Sequence, residues 1–122
     1  MITNIINFAR SGLADWVIQR LSAVLLAAYT LCLVSVFLLN PELDYARWQM
    51  LHGHTAMRLF SLITLLALCA HAWIGMWTIA TDYLNTHQLG RFATALRLAF
   101  QTGCALLILV YLLWGISILW RL

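Results

Sequence analysis

Three long apolar runs, about 16–39, 57–81 and 94–120, leave this chain of 122 residues little with which to face water. Each exceeds the roughly 20 helical residues needed to cross a hydrocarbon core of about 30 Å. None shows the period-2 alternation of a membrane strand, and each is too long to be one. Composition agrees. The chain is 64% hydrophobic and 9% charged, whereas a soluble domain carries about 25% charge. The sequence therefore predicts an all-α integral membrane protein, with three transmembrane helices in a single domain, 1–122, and no internal repeat.

The runs are punctuated by residues that stop helices. The first begins after Ser11-Gly12 and ends at Asn40-Pro41, a firm stop. Met1 to Gly12 lacks the basic start, short apolar core and small-residue cleavage site of a signal peptide, so the first run reads as a retained span. Ala23 and Ala27 in the first run, and Ala99 and Gly103 in the third, are small-residue pairs that let another helix come close. Trp114 and Trp120 suit an interfacial belt. The first loop, about 40–56, holds Glu42, Asp44, Arg47, Trp48, His52 and His54, and the second, about 82–93, holds Asp82, Asn85, His87, Gly90 and Arg91.

All seven basic residues are arginines, and they are scattered. The net charge of +3 forms no basic stripe, so attraction to anionic lipid explains it better than nucleic acid does. Arg10, Arg20, Arg91 and Arg97 fall on one side of the membrane and Arg47, Arg58 and Arg121 on the other, which favours a cytoplasmic N-terminus and an external C-terminus. Cys32, Cys69 and Cys104 lie far apart in apolar runs and read as small buried hydrophobes rather than metal ligands.

His71 is the one imidazole deep inside a run. An ionisable group there is costly and marks a functional site by default. At 100° per residue, Thr64, Gly75, Thr78 and Asp82 fall on its stripe, within about 40° of it. Glycine one turn along gives a flat ligand room. The plainer alternative is a packing histidine bonded to another helix. A cofactor reading makes His71 an iron ligand, with its other ring nitrogen donating to a neighbour. One deep histidine means that a six-coordinate haem would take its second ligand from another subunit. The absence of C-x-x-C-H makes it b-type. Haem propionates need a cation. Arg20, beside Gln19 and one turn inside the first run, is the available one, unless it only snorkels to headgroups. Tyr83 lies about 18 Å further along the helix than His71. It is either an aromatic-belt tyrosine or a phenol that donates to a ligand carbonyl. Asp82 beside it either orients that site, relays protons or meets water at the helix end. His52, His54 and His87 read as solvated loop or interface histidines.

With these residues in view, His71-Ala-Trp-Ile-Gly-Met-Trp followed by Thr81-Asp82-Tyr83 resembles the small hydrophobic membrane-anchor subunit (cytochrome b, D-type) of bacterial succinate dehydrogenase, respiratory complex II. Gly12, Asp15-Trp16 and Arg20 are similar to that family's opening pattern. The likeness covers nearly the whole chain and is most specific in the second run. It implies a complex in the bacterial inner membrane in which a flavoprotein with FAD oxidises succinate and an iron–sulfur subunit passes electrons on. A larger cytochrome b anchor packs with this chain, and together they hold one haem b and a ubiquinone site. On this resemblance His71 is a haem ligand, Arg20 lies near the propionates, and Tyr83 with Asp82 serves the quinone. Thr78 stands where a close relative has glutamine, so no amide contact is carried over there. Three other readings compete: a haem-free anchor of the fumarate-reductase kind, a small oligomeric transporter or channel, and an assembly factor. Glu42, Asp44 and Asp82 lie at or outside the span boundaries, which counts against a transporter that couples through a midmembrane carboxylate.

Overall fold

The computed structural model describes residues 12–84, 87 and 90–121. Expectations for Met1 to Ser11, Arg10 among them, and for Asn85 lie outside that set. The chain runs α1 (Gly12–Leu39), α2 (Tyr45–Gly53), α3 (Thr55–Tyr83), a 3-10 turn at Gly90–Phe92, and α4 (Ala93–Arg121). No strand occurs among the described residues. Three helices, α1, α3 and the stretch Gly90–Arg121, are long and apolar enough to cross a membrane. At about 1.5 Å per residue each reaches roughly 42 Å, beyond the hydrocarbon core and into the headgroups. The chain is a multi-pass membrane protein.

α1 stops where its sequence says it should. Asn40 folds its amide back to Val36 O at 2.9 Å, and its backbone N–H donates to the same carbonyl at 3.1 Å. Pro41 has no N–H to extend the ladder. Asp44 then caps α2, accepting from the Arg47 N–H at 2.9 Å. One extended residue, His54 (φ −65°, ψ 138°), separates α2 from α3.

α2 corrects the expected loop at 40–56. The segment Tyr45–Gly53 is helical, and it is held by aromatic packing. Phe37 stacks on Trp48 at 5.4 Å, and Trp48 meets the His52 ring at 4.0 Å. His52 is only 4% exposed, and its Nδ1–H donates to Trp48 O at 3.1 Å. It is thus a buried packing residue rather than a solvated one. His54 and His87 are exposed, as expected.

α3 is the middle helix, packed against α1 on one side and α4 on the other. Its buried residues are Met57, Ser61, Thr64, Ala67, Met76 and Ala80, mostly small or polar, while Leu59, Ile63, Leu66 and Ile79 face outward. Lipid is as apolar as leucine, so close backbone packing and interhelical hydrogen bonds hold such helices together instead of oily burial. At Gly115 of α4 an added Cβ would meet Leu65 Cδ2 at 2.7 Å, which marks the close approach of α4 to α3. Ala23, Ala27, Ala99 and Gly103 are exposed, so neither small-residue pair is used between helices of this chain. The three cysteines are free and half-buried.

The turn between α3 and α4 is tied by Arg97, whose Nε and Nη2 donate to Leu84 O at 3.0 and 2.8 Å. Gly90 takes a left-handed φ of 62°, which suits a residue without Cβ.

Candidate functional site

α1 and α3 face each other along two polar rows. On α1 the row is Asp15, Gln19, Ser22 and Tyr29, spaced at helical period. On α3 it is Ser61, Thr64, His71, Gly75 and Thr78. Because the helices run antiparallel, Tyr29 pairs with Ser61, Ser22 with His71, and Gln19 lies against Gly75. The first pair is 2.7 Å apart, hydroxyl to hydroxyl. The second joins Ser22 Oγ to His71 Nδ1 at 3.0 Å. An added Cβ on Gly75 would sit 3.8 Å from Gln19 Nε2, so the glycine leaves α1 and α3 in ordinary contact there.

His71 is half-buried and opens onto a cavity of about 470 Å³ between the two helices. Asp15, Trp16, Gln19, Arg20 and Thr78 line it as well. The site therefore brings together the expected imidazole and the expected cation. Arg20 is exposed, with its guanidinium 5.3 Å from the centre of the Trp16 ring, an arrangement that holds the charge at the cavity mouth. Gln19 Oε1 is shut off from solvent and has no hydrogen-bond partner in the structure. Such an orphan inside a membrane protein is an acceptor waiting for a donor. The Thr78 hydroxyl is already committed to Ile74 O at 3.0 Å.

Tyr83 and Asp82 do not line this cavity. They lie at the far end of α3, Tyr83 63% exposed and Asp82 also exposed. The four expected site residues thus form two groups, His71 with Arg20 lining the cavity between α1 and α3, and Tyr83 with Asp82 at the end of α3. Ser22 was not anticipated. The signal was its place in the polar row of α1, which points at His71 only once the register of the two helices is known.

A second cavity, about 390 Å³, lies toward the other end, lined by Leu26, Tyr29, Trp48, His52 and Leu119 among others. No arginine lines it, and its Tyr29 and Ser61 hydroxyls satisfy each other. Among the described residues no three His, Cys, Asp or Glu side chains gather in one place. A metal at His71 would complete its coordination with ligands from outside the described residues.

The family described as succinate dehydrogenase/fumarate reductase transmembrane subunit matches residues 3–100. The chain belongs to that family. It is similar over nearly its whole length to the succinate dehydrogenase hydrophobic membrane anchor subunit of Coxiella burnetii, with 37% identity over 112 residues, 92% of this chain and 91% of that one. The anchor subunit of Rickettsia prowazekii is 28% identical over 85 residues, 68% of this chain and 66% of its own. That of Rickettsia conorii is 30% identical over 84 residues, 66% and 65% of the two chains. As a transmembrane subunit of this family the chain has partner subunits.

Proposed function

We propose that this chain is the small membrane anchor of a succinate:ubiquinone oxidoreductase in a bacterial inner membrane, its N-terminus cytoplasmic and its C-terminus periplasmic. It shares a b-type haem with a larger cytochrome b anchor and contributes to the ubiquinone site. A flavoprotein carrying FAD and an iron–sulfur subunit dock on the cytoplasmic face. The observation that carries the reading is the shared cavity of His71 and Arg20, a half-buried imidazole in its wall and an exposed guanidinium at its mouth.

The residues present fit a haem. His71 would supply one ring nitrogen to the iron, and Arg20 would supply a fork of donors suited to a propionate. When bound, the group supplies a one-electron redox centre inside the membrane. The remaining chemistry belongs to the far end of α3. There the Tyr83 hydroxyl donates to a ubiquinone carbonyl, fixing the ring at the boundary and polarising it. The quinone takes up two electrons, released by succinate oxidation on the partner subunits, and two protons, and leaves as ubiquinol. The exposed Asp82 carboxylate, next in the chain, is placed to pass protons from the aqueous side.

The hydrogen bond between His71 and Ser22 also favours a second reading, a haem-free anchor of the fumarate-reductase kind in which His71 only joins two helices. Co-purification of the chain with its complex, followed by a reduced-minus-oxidised spectrum, separates the two. A b-type absorbance that disappears in His71→Ala supports the haem. Assembled complex without porphyrin refutes it, and loss of the flavoprotein and iron–sulfur subunits from the preparation refutes the enzyme reading altogether.

A further inference from the structure

We infer that Ser22 is a positioning residue that fixes the tautomer of His71 and leaves Nε2 as the nitrogen with a free lone pair. The inference rests on the haem reading above and concerns a residue that the family resemblance did not single out. Ser22 Oγ lies 3.0 Å from Gln19 O and 3.0 Å from His71 Nδ1. A serine hydroxyl has one hydrogen to give, and a carbonyl oxygen only accepts. The bond to Gln19 O uses that hydrogen. The bond to His71 then runs the other way, from Nδ1–H to a lone pair on Ser22 Oγ. A neutral imidazole with its hydrogen on Nδ1 keeps the ligating lone pair on Nε2.

The surroundings enforce this choice. Ser22 is 4% exposed and is the one buried residue of α1, so water does not compete for its oxygen. Reversing the bond, with Ser22 donating to Nδ1, would set two oxygens 3.0 Å apart at Gln19 with no hydrogen between them. It would also move the ring hydrogen to Nε2 and abolish that nitrogen as a ligand. The backbone carbonyl of Gln19 thus sets, through one hydroxyl, which face of the imidazole is a base. A ligand histidine that donates through its other nitrogen becomes a stronger donor to iron, and losing such a partner typically weakens binding about 10- to 100-fold. A stronger donor favours the ferric state and lowers the reduction potential.

The test uses the complete membrane complex with Ser22→Thr, Ser22→Ala and Ser22→Val, read by haem content and by redox titration of the haem. Ser22→Thr keeps the hydroxyl and should keep the native potential and occupancy. Ser22→Ala should shift the potential upward and lose haem roughly tenfold more readily. Ser22→Val is close to threonine in size but lacks the hydroxyl, so it separates packing from hydrogen bonding if Ser22→Ala assembles poorly. Equal potentials in the threonine and valine variants, or an unshifted potential in Ser22→Ala, overturn the role of Ser22 alone. A native complex with no haem, or one whose haem survives His71→Ala, overturns the haem reading beneath it.

Discussion

Tyr29 of α1 and Ser61 of α3 meet hydroxyl to hydroxyl at 2.7 Å, and the Tyr29 ring rests edge-on against Phe60 at 5.1 Å. The bond pins the middle of α1 to α3, on the side of Ser22 away from the His71 cavity. Interhelical hydrogen bonds in membranes are worth about 0.6 kcal/mol on average, because the separated helices find other partners. The two partners are not equivalent in this respect. After Tyr29→Phe, Ser61 can turn to a carbonyl one turn back on its own helix. After Ser61→Ala, the Tyr29 hydroxyl, at the far end of a rigid ring, cannot turn back to a carbonyl of its own helix. Tyr29→Phe should therefore cost about 0.5 kcal/mol and Ser61→Ala about 1 kcal/mol or more. Thermal denaturation of the detergent-solubilised complex measures both; equal or reversed costs would overturn the asymmetry, and no cost in either variant would show that the hydroxyl pair does not hold the helices.

Arg20 is expected to matter for charge and for fork geometry. Arg20→Ala should lower haem content in the purified complex, while Arg20→Lys keeps the charge but not two parallel donors and should fall between. Pigment content per flavin is the measurement. Native pigment in Arg20→Ala would remove the arginine from the site and leave it as a headgroup contact.

Tyr83→Phe should assemble and keep the native haem spectrum, since Tyr83 lies outside the His71 cavity. Quinone reduction should fall at least about tenfold, the rate equivalent of a lost hydrogen bond of roughly 1.5 kcal/mol. Steady-state succinate:quinone activity reads this directly. Unchanged turnover would make Tyr83 an interfacial belt residue and nothing more.

Arg97 clamps the carbonyl of Leu84, the residue after Tyr83. Arg97→Ala frees that carbonyl and should loosen the last turn of α3, seen as faster amide hydrogen exchange at 81–84 with the rest of α3 protected. Quinone affinity should weaken along with it. Unaltered exchange would mean that α4 packing, rather than the arginine, holds the turn.

The spans were legible because a bilayer selects for apolar length, and length is written in the sequence. The helices run past the apolar stretches: α1 already includes Gly12–Asp15, and α3 spans Thr55 to Tyr83 rather than 57–81, because helical hydrogen bonds continue into the headgroup layer where polar side chains appear. α2 went unread because it is nine residues long and held by Phe37, Trp48 and His52, a cluster that includes a residue from the preceding helix. His71 stood out as a polar side chain where one is costly. Ser22 did not, since a serine in a membrane helix commonly bonds to its own backbone. Its partnership with His71 depends on the register of α1 against α3, which no local pattern records.

The opposed polar rows behave like meshed teeth. Tyr29 finds Ser61, and Ser22 finds His71, only while the number of residues between the two contacts on each helix is kept. One residue inserted between Ser22 and Tyr29 would swing everything before it by about 100°, carrying Ser22, Gln19 and Arg20 away from the imidazole in a single step. Seven inserted residues would bring the angle back to within about 20° yet displace the helix by about 10 Å along the membrane normal. Evolution can therefore repaint the lipid-facing sides of these helices freely, but it has almost no freedom to change the length of α1 between those two teeth.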